Sequence, residues 1–262
     1  LNVIYRLQRG LLIFISGFTL ASCGFAGDAA KEGALSLVSF GGADTFTLRG
    51  TLPANFKIKA QAYYGSEDGA CSARGDANSY ESTQDKTPHN YKFKIPVSYH
   101  KGLCTLTLAR VALYTTGRYG EKGWQEIYDN GELRVVDKLP AKAPDFNAQG
   151  ELVKVAQCRW LFQLTKAKSR LGQIDKQLDC KSLGAYVVTE NLPGKVLTIN
   201  INESPEEVPA IGDTWIKFPQ GWRPCSEKKT ESGTWSWCET PPEFRTFKMG
   251  DKTCTYYPNC TE

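Results

Sequence analysis

Histidine is almost missing from this chain. His89 and His100 are the only two in 262 residues, so a histidine base has just two places to stand. His89 follows Pro88 in a polar loop, and His100 opens a His-Lys-Gly turn. Both read as ordinary surface residues. Missing as well are a Gly-x-Ser-x-Gly elbow, a His-Glu-x-x-His helix, a phosphate-binding glycine loop and a calcium-loop pattern. No catalytic residue is therefore nominated and no cofactor is implied. Carboxylates are scattered without a spacing that singles out a pair, although folding could still build a glycosidase-like couple. There is no Cys-x-x-Cys, and with two histidines a zinc site lacks the close ligand pairs it needs. Excess charge is missing too. The net charge is +4, of which Arg6 and Arg9 supply two, so the chain beyond the N-terminal segment carries +2. That is too little to argue for nucleic acid or for anionic lipid as a partner.

What is present begins at the N-terminus. Arg6 and Arg9 precede a short apolar run from Leu11 to Leu20, which breaks at Ser22-Cys23-Gly24. Charge, a short apolar run and small residues make the pattern of a secretory signal. An uncleaved membrane helix would need about 20 apolar residues, twice what is here. The tetrad Leu20-Ala21-Ser22-Cys23 resembles the lipobox of bacterial lipoproteins. The resemblance covers only the first 24 or so residues. It implies cleavage between Ser22 and Cys23, a diacylglyceryl thioether on the Cys23 thiol, and acylation of the new amino terminus. It also implies attachment to a membrane through covalent lipid. Gly24 stands where, in the enterobacterial pattern, Asp would retain the protein in the inner membrane, so the outer membrane is implied. The chain opens on Leu1, as a non-standard start codon translated literally or an incomplete N-terminus would leave it.

Removing Cys23 from the nine cysteines leaves an even set of eight: Cys71, Cys104, Cys158, Cys180, Cys225, Cys238, Cys254 and Cys260. An even set in an exported chain reads as disulfides, as in a Gram-negative periplasm where thiols are oxidised. Eight cysteines allow 105 connectivities. Sequence proximity favours 71–104, 158–180, 225–238 and 254–260.

Along the chain, 1–22 is the signal and 23–34 the lipidated cysteine with a small, Gly/Ala-rich tether. From residue 35 to 138 the period is two. Phe56, Ile58, Ala60, Ala62 and Tyr64 share a face, as do Tyr91, Phe93, Ile95, Val97 and Tyr99. Pro96 in the second run argues for an edge position or a bulge. Leu103 to Tyr114 is apolar on both faces, which marks a central strand. Gly65 to Lys86 reads as one long exposed loop around Cys71, and Asp129-Asn130-Gly131 as a hairpin turn. Within the loop, Arg74-Gly75-Asp76 resembles the integrin-recognition tripeptide of adhesive proteins, a match that three residues make often by chance. The stretch 138–150, with Pro140 and Pro144, is either a linker or a long crossover loop inside one sandwich.

The 151–202 stretch predicts strand, helix and hairpin. Leu164, Ala167, Leu171, Ile174 and Leu178 follow helical spacing, and Asn191-Leu192-Pro193-Gly194 reads as a turn. Residues 210–262 differ in composition, with four of the eight body cysteines and four of the six tryptophans. Such a segment buries little core alone, so disulfides and stacked aromatics must support it. The fold class is therefore mainly β: an antiparallel, sandwich-like body with one short helix and a small Trp-rich C-terminal region.

Trp235-Ser236-Trp237 places both indoles on one strand face beside the hydrophilic tip that holds Lys228 and Lys229. Packed core is the commoner fate of such a pair, and a binding patch the rarer one. Trp222, Lys228, Lys229, Trp235 and Trp237 are thus the candidate partner-binding residues. The functions left standing are a lipid-anchored binding protein such as an inhibitor or immunity protein, an assembly lipoprotein of an envelope or secretion complex, and a hydrolase whose site the sequence hides.

Overall fold

A computed structural model describes residues 39–66, 71 and 77–260. The lipobox, the tether and Arg74-Gly75-Asp76 lie outside these residues. The described chain is mainly β. Its strands, in chain order, are β1 (Ser39–Gly41), β2 (Thr45–Leu52), β3 (Phe56–Gly65), β4 (Ala77–Glu81), β5 (His89–Pro96), β6 (Ser98–Lys101), β7 (Cys104–Arg118), β8 (Glu126–Val136), β9 (Glu151–Leu164) and β10 (Ile174–Lys181). They continue as β11 (Gly184–Val188), β12 (Val196–Glu203), β13 (Val208–Pro209), β14 (Trp215–Phe218), β15 (Gly221–Pro224), β16 (Glu227–Lys229), β17 (Trp235–Trp237), β18 (Phe247–Met249) and β19 (Lys252–Cys254).

Two sheets share one core. The first runs β1-β6-β7-β3-β4, with β8 on β7 and β11 on β8. The second runs β10-β9-β12-β2-β5, with β13 on β9. Most pairings are antiparallel. β11 joins β8 in parallel, and β12 and β13 join their neighbours in parallel. Parallel partners need a crossover between them, and the chain supplies it by changing sheets after β8, β10 and β11. Residues 138–150 make the first change, so this Pro-containing stretch is a crossover: one buried cluster takes Phe46, Ile58 and Leu113 from before it and Leu152, Leu197 and Ile201 from after it.

Alternation explains the core. The inward face of β3 is Phe56, Ile58, Ala60, Ala62 and Tyr64, all buried, with Lys57, Lys59 and Gln61 on the outer face. β5 is an outer strand, paired only with β2, and Pro96 closes it opposite Thr45. An edge tolerates the missing N–H. β7 is central, held by β3 along one edge and by β6 and then β8 along the other. Its two-sided apolar run has a second cause. The register with β3 slips between Tyr63 and Tyr64, which face Arg110 and Leu108, so Ala109 is an extra residue. This bulge switches the buried set from Leu106 and Leu108 to Val111 and Leu113.

Four expectations are corrected. The stretch 65–86 is not one loop, because β4 within it pairs with β3. Asp129-Asn130-Gly131 is not a turn, because β8 runs through it paired to β7. Asn191-Leu192-Pro193-Gly194 does not close a hairpin. β11 and β12 lie in different sheets, and Leu192 is fully buried as the chain crosses between them. The helix over 164–178 does not form. β9 ends at Leu164, a single 3-10 turn spans Lys168–Arg170, and β10 starts at Ile174. Of the apparent stripe, Leu178 joins the main core, Leu164 and Ile174 join a second cluster, and Leu171 stays exposed.

That second cluster organises the C-terminal region. Phe162 and Ile174 project from β9 and β10 onto Trp215, Phe247, Cys254 and Tyr257. Around them lie three two-stranded hairpins: β14–β15, β16–β17 and β18–β19. The disulfides are Cys71–Cys104, Cys158–Cys180, Cys225–Cys238 and Cys254–Cys260, so two of the four brace this small region. Cys158 and Cys180 are direct cross-strand partners on β9 and β10, and both are buried.

Beside that bond, Asp179 meets Lys181 at 2.7 Å and Arg159 at 3.1 Å. The Lys181 ammonium holds the Asp179 carboxyl below its usual 3.8; burial opposes this and Arg159 adds to it. A depressed native pKa contributes stability above the unfolded value and loses it as the pH falls through the native one. The urea midpoint should therefore drop on acidification below about pH 4. In Asp179→Asn the drop should be smaller, and equal acid sensitivity in both proteins would exclude Asp179 as a contributor.

Candidate functional site

The 225–238 hairpin is built by strand register and one disulfide. Cys225, fully buried, donates its N–H to the Thr214 carbonyl at 3.0 Å and bridges Phe244, which anchors the hairpin within the C-terminal region, and its bond to Cys238 closes the base. β16 and β17 pair Glu227 with Trp237, Lys228 with Ser236 and Lys229 with Trp235. Directly opposed residues share a face. Trp235, Trp237, Lys229 and Glu227 therefore stand on one side, and Lys228 and Ser236 on the other. The tip is ordered by its hydroxyls: Thr230 Oγ1 lies 2.8 Å from Ser232 Oγ and 2.7 Å from Thr234 Oγ1. Gly233 donates its N–H to the Thr230 carbonyl at 2.9 Å.

Trp235 is 60% exposed and Trp237 36% exposed. An indole seldom stays this open, and two on a single face make an apolar patch with Lys229 as a neighbouring cation. Among the described residues Lys229 has no ion-pair partner. Lys228 does not join the patch; it turns to Glu243 at 3.1 Å. Trp222 is also elsewhere, on β15. Its ring meets Phe162 edge-on at 5.9 Å, and the Lys217 ammonium lies over it at 5.4 Å. The five candidates therefore resolve into a three-residue patch and two residues occupied in structure.

The histidines are tied into their own surroundings. Both ring nitrogens of His89 lie 3.1 Å from carbonyl oxygens, those of Thr87 and Thr83. His100 lies in β6, its Nδ1 3.2 Å from Thr105 Oγ1. Among the described residues no cluster of three or more His, Cys, Asp or Glu could hold a metal ion.

Folding does assemble residues that nothing in the sequence groups together. Where the body meets the C-terminal region, Glu207 binds Lys176 Nζ at 2.5 Å and accepts a hydrogen bond from the Tyr257 hydroxyl. Tyr119 donates to Asp175 at 3.0 Å, and the Trp160 indole donates to Glu203 at 2.7 Å. Burial, reinforced by the facing carboxylates, pushes the Tyr119 and Tyr257 hydroxyls well above the usual tyrosine range. They stay neutral and act as donors. Glu121, Glu203 and Glu207 line one groove here with Trp160. Glu207 is committed to an ammonium and a phenol, so it ties the two parts together rather than standing free as a base. No family model matches this chain, and no curated protein or solved structure is found to be similar to it.

Proposed function

We propose that this chain is an exported, lipid-anchored envelope protein that acts by binding a protein partner through the 225–238 hairpin. The fitting class is an inhibitor or immunity protein against a toxin acting in the periplasm of a Gram-negative bacterium. The observation that carries this reading is the pair of exposed indoles, Trp235 and Trp237, on one face of a disulfide-closed hairpin. A rigid base lowers the ordering cost of docking, and tryptophan is a favoured anchor residue. The partner surface that fits is an apolar pocket with a carboxylate beside it for Lys229. Lipidation of Cys23 would hold the body at the outer membrane, and four disulfides suit an oxidising compartment.

Affinity purification from the detergent phase of cell extracts tests this. One stoichiometric partner is expected, bound at least about 100-fold more weakly by the double variant Trp235→Ala/Trp237→Ala, since losing the two anchors together should cost about 3 kcal/mol or more. The variant should melt with the parent, because both side chains are exposed. Many envelope partners would favour an assembly lipoprotein instead, and recovery only from the aqueous phase would remove the lipid anchor. Undiminished capture by the double variant would remove the hairpin as the docking element.

A further inference from the structure

A second site lies away from the hairpin, in the seam between the body and the C-terminal region. A cleft of about 460 Å3 opens there, within the range of small-molecule sites. Tyr119, Trp124, Ile174, Met249 and Tyr257 supply its apolar and aromatic walls. Its other prominent residues are three lysines: Lys122, Lys176 and Lys248. No carboxylate is among the described residues that line it. The walls are fixed. Tyr119 stands edge-on to both Trp124 and Trp160, at 6.1 and 5.3 Å, and the Arg170 guanidinium covers one face of Trp124 at 4.0 Å. Ile174 and Tyr257 belong to the second buried cluster.

The charges around the cleft do not balance. Lys176 is neutralised by Glu207, and Asp175 by Arg170 at 3.6 Å. Lys122, from the β7–β8 connection, and Lys248, from β18, have no ion-pair partner among the described residues. Two separate segments thus bring unneutralised ammonium groups to an aromatic cleft. We infer that this cleft binds a small organic anion: a ring-sized apolar body seated among Tyr119, Trp124, Met249 and Tyr257, with a carboxylate-type group directed at Lys122 and Lys248. A cationic ligand is disfavoured by the lysines, and a neutral one gains nothing from them. The occupant is distinct from the protein partner of the hairpin.

Phenylacetate, 2-phenylethanol and phenethylamine share a ring and differ in charge, which makes them the probes for calorimetric titration of the intact protein. Phenylacetate should bind saturably with a dissociation constant of about 1 mM, as suits a fragment of about ten heavy atoms. The alcohol should bind at least about tenfold more weakly, and the amine not at all. Lys122→Glu/Lys248→Glu should weaken phenylacetate at least about tenfold while leaving the weak alcohol binding in place, which also reports that the cleft is intact. Lys92→Glu/Lys94→Glu, on the exposed face of β5, makes the same change in net charge and should bind phenylacetate like the parent. The inference fails if phenylacetate does not saturate, if the alcohol binds as well as the acid, or if the two double variants lose binding equally.

Discussion

Phe162→Ala is expected to cost about 3–5 kcal/mol, the range for emptying a buried aromatic position, and to loosen the C-terminal region before the body. Phe162 is fully buried at the end of β9. Its ring stands perpendicular to Trp215 at 5.0 Å, lies 4.3 Å from Tyr257 and meets Trp222 at 5.9 Å. Three aromatic side chains of the last fifty or so residues therefore converge on one ring from the body. The Cys225–Cys238 and Cys254–Cys260 bonds restrain that region internally, but neither bonds it to the body. Without Phe162 the remaining ties include Leu164 and Ile174, the Glu207 bridge between Lys176 and Tyr257, and backbone bonds such as Lys248 N–H to the Gly172 carbonyl at 2.8 Å. Urea unfolding followed by near-ultraviolet dichroism should show an early loss of tryptophan signal, and limited proteolysis should release residues after about 205 while the body resists. A cost below about 1 kcal/mol would mean that the disulfides, and not this contact, maintain the region.

The same residue shows where sequence reading succeeds and where it stops. The strand expected at the start of 151–202 is the one that carries Phe162, and composition marked the C-terminal region as dependent on disulfides and aromatics. That β9 supplies the centre of that region's core was not legible, because the pattern gives a face but not what covers it. β3 and β5 were legible because each keeps one period of two beneath a single core. The false helix over 164–178 arose where a strand end, a 3-10 turn and a strand start happen to space apolar residues by three and four. Leu171, the middle of that stripe, is 70% exposed. Sequence proximity favoured the disulfide pairs that form because three of them close a local hairpin or loop, whereas Cys71–Cys104 spans β4, β5 and β6. Trp235 and Trp237 could be placed on one face by their spacing alone, whereas their exposure depends on how the hairpin is carried. The cleft was invisible for a simple reason: Tyr119, Lys176, Lys248 and Tyr257 come from separate segments, and only the docking of the C-terminal hairpins against β10 brings them together.

Gly131→Ala should be nearly as damaging as the loss of Phe162, although it adds a single methyl. A Cβ at this position would lie 1.5 Å from the Leu183 carbonyl oxygen and 2.6 Å from its carbon, both backbone atoms that cannot swing aside. The carbonyl is there for a reason. It accepts the Glu132 N–H at 3.2 Å, while the Asp129 carboxylate accepts the Cys180 N–H at 2.7 Å. Asp129, Gly131 and Glu132 therefore hold the crossing from β10 to β11 against β8, and the glycine marks a close approach of two backbones instead of the turn that Asp-Asn-Gly suggests. Fitting the methyl would displace the Leu183 backbone, strain β11 in its parallel register with β8 and weaken the Glu132 bond, a combined cost of about 3 kcal/mol or more. Gly212→Ala is the matched control, since nothing lies within 4 Å of its added Cβ, and it should fall within about 0.5 kcal/mol of the parent. Urea midpoints at constant slope distinguish the two. Equal midpoints for Gly131→Ala and Gly212→Ala would mean that the crossing yields freely, and that the two sheets are not locked together where β8, β10 and β11 meet.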